Sequence, residues 1–396
     1  MHKHLSPPPS STPAPCRPGR FGGTPLLLGT LWALPLVGAP APDQCHVYWG
    51  DVHGHTRLSD GKGTLDDYFT YARDVAKLDF VIVSDHDFGN GEPWWMPREN
   101  WTRTQAKADE YTTDGRFVAL AGYEWTSQPK YWTEVGPDTP SERLFPGPPK
   151  HYNHKNVYFP AGVDHLLCAK DPAYMSPNLL AQAVAKLGGL IHNNHPDSTP
   201  EGEDQFAYDP AYSTVIANTE LLPDTLQYQG KTHQVNGEQT VRGFLNRGGR
   251  TGFVAGTDSH EGKPAARTAV LAPELTRAAV FDALRHRRNY AVTNARILLD
   301  FRLNGHLLGE EFEIEGKPRL VAEVRGTDML DEVALIRDGV ILYSISPKAR
   351  STRLEYVDQS FEGTSYYYLR VIQADKDEHG NRSHAWSSPI WVKSAE

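Results

Sequence analysis

The sequence predicts an α/β fold in two parts, a closed barrel of β/α repeats followed by an all-β sandwich. Three observations carry this reading. From residue 45 to about 294, short apolar runs alternate with helical patterns, the rhythm of a parallel sheet with crossover helices. Six or seven such repeats over about 250 residues favour a closed barrel over an open sheet. After Ala295 the runs stay short and strand-like, with turn signals between them and no helix. The length of 396 residues fits two domains, since one core rarely grows past about 250–300 residues.

Residues 1–41 read as a secretory leader. They hold Lys3, Arg17 and Arg20 and no acid, then an apolar run, PLLLGTLWALPLVG, then Ala39-Pro40-Ala41. The run is too short to span a bilayer at about 20 residues, and Pro35 interrupts it. The expectation is an exported protein, periplasmic or secreted, with no transmembrane anchor after cleavage. The barrel is placed at 42–298 and the sandwich at 299–396. In the barrel, strands are expected at 45–49, 80–83, 117–122, 156–159, 189–192, 214–217 and 252–255. A helix is expected over 64–78, with Leu65, Tyr68, Phe69, Ala72, Val75 and Ala76 on one face. Thr64 and Asp67 form its capping box. A second helix starts at Ser176-Pro177 and ends at Gly188, and a third covers 275–287. Residues 89–101 and 126–150 read as long aromatic-bearing loops, either functional lids or plain insertions. In the sandwich, strands are expected at 297–303, 320–324, 333–336, 340–345, 366–372 and 389–392. Asn304-Gly305, Asp338-Gly339 and Gly380-Asn381 supply the turns.

Composition narrows the function classes. Nine Trp and 18 Tyr exclude a disordered chain. A net charge of −9 argues against a nucleic-acid platform, which shows basic excess. Only 3 Cys stand against 17 His, so a metal would be held by imidazole and carboxylate rather than thiolate. Cys16 falls in the leader; Cys45 and Cys168 permit one disulfide or two separate thiols.

The informative pattern is where His and acidic residues fall. His53 and His55 follow the first strand, with Asp60 soon after. Asp85-His86-Asp87 follows the second and Glu124 the third. His151 and His154 precede the 156–159 strand, His192 and His195 end the next, and Asp258 and His260 end the last. In a parallel barrel the strand C-termini open on one face, so these side chains converge. In His53-x-His55 and Asp258-x-His260 the two side chains point the same way, because extended chain alternates with period two. So many carboxylates and imidazoles in one pocket need cations to offset their desolvation and repulsion. A mixed nitrogen and oxygen set suits Zn, Mn or Fe. A lone histidine is more often a core or surface residue, and His46, His165, His233, His286, His306, His379 and His384 are read so.

The strings DVHGHTRLSDG, SDHD, GYEW, HKNVYF, IHNNHP and GTDSH, in that order over roughly residues 46–296, resemble the PHP (polymerase and histidinol phosphatase) family. The likeness is greatest to an exported-looking branch whose barrel is followed by a β domain. The resemblance implies a distorted (β/α)7 barrel with two or three divalent metal ions. By motif, the implied ligands are His53, His55, Asp60, His86, Glu124, His154, His195, Asp258 and His260, with His151 and His192 as lower-ranked alternatives.

The reaction this implies is phosphoester hydrolysis by metal-activated water on a small phosphorylated substrate. Glu124 would bridge two ions and, if one metal site is empty, His195 or His260 would give the leaving group its proton. Arg267 and Lys155 are candidates to grip the phosphate. Two rivals stand beside it. One is hydrolysis of a carbon ester, amide or lactone at the same metals. The other is a non-catalytic, metal-stabilised binding protein. Substrate identity and oligomeric state are not legible.

Overall fold

The computed structural model describes residues 45–87, 96–127, 152–164, 166–196 and 205–395. The expected leader, most of the two long loops, His151 and His165 lie outside the described residues.

The chain forms a mixed α/β structure dominated by one large sheet. Its strands are β1 (His46–Asp51), β2 (Phe80–Val83), β3 (Val118–Ser127), β4 (Asn153–Tyr158), β5 (Leu190–Asn193) and β6 (Ile216–Glu220). A separate hairpin, β7 (Thr225–Tyr228) with β8 (Lys231–Gln234), precedes β9 (Gly252–Val254), β10 (Thr268–Ala272) and β11 (Asn289–Val292). Side by side the order runs β11-β10-β1-β2-β3-β4-β5-β6-β9. The segments that follow β1 and β9 meet beyond the strands: Gly54 bridges Ser259, His55 N donates to Ser259 O at 3.0 Å, and Asp258 N donates to His53 O at 3.0 Å.

The expected uniform parallel sheet is corrected here. β1–β2, β2–β3, β5–β6 and β6–β9 are parallel, but β4 runs antiparallel to both neighbours and β10 antiparallel to β1 and β11. Apolar alternation reads the same in both chain directions, so it sets which face a side chain takes and not which way the strand runs. The reversal explains why His154 starts its strand while the other site residues end theirs.

Helices are fewer than the repeats expected. Among the described residues they are α1 (Leu65–Thr70), α2 (Arg98–Tyr111), α3 (Pro177–Lys186), α4 (Gly237–Asn246) and α5 (Arg277–Arg285). The 64–78 segment is not one α-helix: α1 widens into a π turn over Tyr71–Val75, and Lys77 ends it at φ +52°. Its cap is as expected, Thr64 Oγ1 accepting from Asp67 N and Asp67 Oδ2 from Thr64 N at 2.8 Å. Trp101, assigned to a loop, lies buried in α2. β2 is covered on both sides, which is why it reads as a continuous apolar run. Phe80 and Ile82 face an inner core with Val118, Leu120 and Val254, while Val81 and Val83 face α1 and α2 through Leu65, Phe69 and Ala108.

The last third adds β12 (Leu298–Leu303), β13 (Glu311–Ile314), β14 (Arg319–Arg325), β15 (Leu330–Arg337), β16 (Val340–Ile345), β17 (Ser351–Val357), β18 (Thr364–Lys376), β19 (Arg382–Ser387) and β20 (Ile390–Ser394). β12-β14-β17 form a small sheet packed on the large one through Leu299, Phe301, Leu320, Val333, Leu335 and Leu369. The large sheet does not stop at the sequence boundary near residue 298. β11 pairs with β19, Ala291 opposite Trp386, and Trp49, Leu271 and Tyr290 share the core of the β layers. Cys45 and Cys168 are separate free thiols.

Candidate metal centre

The expected ligands gather at the end of the sheet where β1, β2, β3 and β9 terminate and β4 begins. His53 and His55 are fully buried, and Nε2 of one lies 3.3 Å from Nε2 of the other. Gly54 between them has no room for a side chain: a Cβ would sit 2.5 Å from Tyr68 Oη. Glu124 is buried among five imidazoles. Its Oε1 lies 2.9 Å from His154 Nδ1, 3.4 Å from His53 Nε2 and 3.5 Å from His195 Nε2. Its Oε2 lies 2.8 Å from His86 Nδ1 and 3.6 Å from His55 Nε2. Asp258 Oδ1 is 3.1 Å from His55 and 3.4 Å from His53. Asp60 reaches His260 at 3.3 Å, His86 at 3.6 Å and His55 at 3.7 Å. Three residue sets have donor atoms close enough for one ion each: His55, Asp60, His86 and His260; His53, His55 and Glu124; His86, Glu124 and His154. The floor is buried, while Asp60, His195, Asp258 and His260 form a partly exposed rim.

Buried carboxylates that are not in these sets hold the loops in place. Asp51, ending β1, accepts from Thr257 N at 3.0 Å, Thr257 Oγ1 at 2.7 Å and Ala265 N at 2.9 Å, fixing the loop that carries Asp258 and His260. Asp85 accepts from Thr56 N and Oγ1, both at 2.8 Å, and from Ser59 N at 3.1 Å and Oγ at 2.7 Å, fixing the loop that carries Asp60. Asp87 turns away to Thr126 N and Ala169 N. Asn194 Nδ2 donates to Glu124 Oε1 at 2.6 Å.

The donor chemistry fits cations. His53 Nδ1 lies 2.9 Å from Glu220 Oε1, and an ionised carboxylate only accepts, so Nδ1 carries the proton. The lone pair on Nε2 then faces Glu124 and Asp258, which are also acceptors. His260 Nδ1 donates to Asp258 O at 2.9 Å, leaving Nε2 toward Asp60. Lone pairs aimed at carboxylate oxygens need a proton or a metal between them. Without metal the protons win: Asp60 and its neighbours push His260 up to about 9, and Glu220, Asp258 and Glu124 outweigh burial to raise His53. Burial pushes the Glu124 carboxyl up, but His154, His86 and His53 hold it well below the usual carboxylate range.

The two expected substrate contacts, Lys155 and Arg267, are engaged by partners within the chain. Lys155 sits next to His154 on β4, so alternation turns it to the other face. Its Nζ donates to Asn193 Oδ1 at 2.7 Å and Gln205 O at 2.9 Å, and burial lowers it to about 7. Arg267 donates to Thr293 O and, at 3.1 Å, to Asn294 Oδ1. His192 is buried, 3.8 Å from Glu220, and burial lowers it to about 4. The sequence reading missed Glu220. It ends β6 by the rule that marked the other residues, but that strand was expected to stop at 217.

No family model matches the chain. An uncharacterized protein of Chlamydia trachomatis serovar D is 27% identical over 394 residues, 90% of this chain and 60% of its own length. An uncharacterized protein of Chlamydia muridarum is 25% identical, over 89% and 59%. The chain therefore spans about three fifths of the curated relatives it matches. Among solved structures, a two-domain protein from Bacteroides vulgatus containing a predicted PHP-like metal-dependent phosphoesterase aligns at TM-score 0.44 and 14% identity, covering 89% of this chain and 96% of that one.

Proposed function

We propose that the chain is a metal-dependent phosphoesterase with two or three divalent cations, Zn, Mn or Fe, at the Glu124 centre. One observation carries the metal reading: the buried Glu124 carboxylate is common to two candidate ion sets, with His53 and His55 in one and His86 and His154 in the other. That is the arrangement of a bridging ligand. Cations held there would supply Lewis-acid activation of water and charge neutralisation on a phosphoryl group. The motif series of residues 46–296 supports phosphorus over carbon as the centre attacked.

The chain's own residues do the rest. Glu124, His53, His55, His86 and His154 form the buried floor. Asp60, Asp258, His195 and His260 close the set at the rim, where a small phosphorylated substrate reaches them. With one ion site empty, His260 and His195 are the rim groups able to give a leaving oxygen its proton, His260 facing Asp60 at 3.3 Å and His195 facing Glu124 at 3.5 Å. A distorted α/β barrel over 42–298, continued through the β11–β19 pairing into the β layers of 299–396, and export after leader removal complete the proposal.

The test is elemental analysis of the purified protein followed by a screen on nitrophenyl phosphates, phosphodiesters and acetates. Bound divalent metal, with phosphoester activity abolished by chelator and restored by Mn or Zn, supports it. Acetate hydrolysis alone moves the reading to carbon esters. Absence of metal ends it.

A further inference from the structure

We infer that Glu220 is the positioning residue of this centre, one carboxylate that fixes the ring of His53 and the backbone of His195 together. The inference rests on the metal reading above. Glu220 ends β6 and is almost fully buried. Its Oε1 accepts from His53 Nδ1 at 2.9 Å and its Oε2 from His195 N at 2.6 Å. The first bond sets the tautomer of His53 and aims Nε2 at Glu124 and Asp258, each 3.4 Å away. A ligating imidazole whose other N–H binds a carboxylate gains both orientation and basicity. The second bond acts on a strained residue. His195 has φ +24°, outside the usual range for a residue with a Cβ, and a short bond to a charged acceptor offsets that cost.

The surrounding chain is shaped for this carboxylate. Gly256, just past β9, crosses directly over it: a Cβ there would lie 2.5 Å from Glu220 Oε1 and 2.3 Å from His53 Cβ. His192 closes a third side at 3.8 Å. Both carboxylate oxygens are thus spent on holding other groups, and Glu220 belongs to none of the three candidate ion sets. His53 and His195 follow β1 and β5, which do not pair with each other, so this carboxylate on β6 ties together two site residues that the sheet alone does not join.

The test compares Glu220→Gln, Glu220→Asp and Glu220→Ala with the wild-type full chain. Zn affinity is measured by competition with a chelator, stoichiometry at saturation by elemental analysis, and ligand field from the absorption spectrum of the Co-loaded protein. Gln keeps an oxygen for His53 but must present an N–H to the N–H of His195. Expected is a fall in Zn affinity of about 10- to 100-fold for Gln, with unchanged stoichiometry at saturation and a shifted Co spectrum. Ala should fall at least as far, and Asp should recover part of the loss. Wild-type affinity and spectrum in Gln and Ala would overturn the inference. So would a lost ion at saturation, which would make Glu220 a ligand. Should Gln and Ala fail to fold, Asp carries the same measurements, and wild-type affinity and spectrum there overturn the inference. A wild-type protein that binds no divalent ion defeats the metal reading itself, before any variant is made.

Discussion

Replacing Glu124 by Gln keeps the side chain's shape and removes the buried charge that faces both imidazole sets. Two unit charges about 4 Å apart interact by about 4 kcal/mol at an effective dielectric of 20, and a divalent cation doubles that. At 1.4 kcal/mol per tenfold, affinity should fall at least about 10³-fold at each cation the carboxylate faces. The amide must also point its N–H pair toward either His86, 2.8 Å from Oε2, or the Asn194 amide, 2.6 Å from Oε1. Asn194 is itself a donor there, so half of the rearranged contacts are unfavourable. The assay strips metal from wild type and variant, reloads both with Zn or Mn, and follows a chelator competition alongside phosphoester turnover. Turnover should drop at least ~10²-fold, since loss of a supporting contact alone costs about 10- to 100-fold. Asp87→Asn is the control. Asp87 is buried next to His86, yet its oxygens accept from Thr126 N at 3.1 Å and Ala169 N at 2.7 Å. It should lose stability, about 1–3 kcal/mol, and keep its metal. Wild-type metal affinity in the Gln variant, or equal metal loss in the control, would refute the bridging role.

Four further outcomes are expected. Asp85→Ala frees Thr56 and Ser59, leaving the Asp60 loop untied, and should lower stability by about 1–3 kcal/mol in denaturant titration and weaken the ion set containing Asp60; unchanged metal binding would contradict it. Asp358→Asn should cost about 1.5–3 kcal/mol, because the buried carboxylate accepts from Arg337 Nη1 at 2.7 Å and Tyr367 Oη at 2.8 Å. Burial pushes the Asp358 carboxyl up, but bonds from Ser360, Tyr367 and Arg337 hold it below its ordinary value, so its contribution is full above about pH 4 and fades as pH falls further; melting curves of wild type and Asn variant should converge in that acid range. A chain ended after Leu298 uncovers the β11 edge that pairs with β19 and the apolar faces of Trp49, Leu271 and Tyr290, and should be insoluble or unfolded; a soluble fragment with full metal content would contradict this. N-terminal sequencing of exported protein should find a start near residues 39–43, and a start at Met1 would remove the leader reading.

Much of this centre was legible one residue at a time. Period-two alternation put His53 with His55 and Asp258 with His260, and the ends of apolar runs marked His86 and Glu124. The same alternation, applied strictly, also excludes Lys155, since it neighbours His154 on an extended strand. These are local properties, set by backbone geometry over two or three residues, and a sequence carries them directly. The direction of β4, the tie from Glu220 to His53 across 167 positions, and the loop anchors at Asp51 and Asp85 are not local. A buried carboxylate takes its role from whichever donors the fold brings within 3 Å, and strand polarity from the neighbours with which the strand exchanges hydrogen bonds. Neither leaves a mark on the residues beside it, so only the assembled tertiary structure decides them.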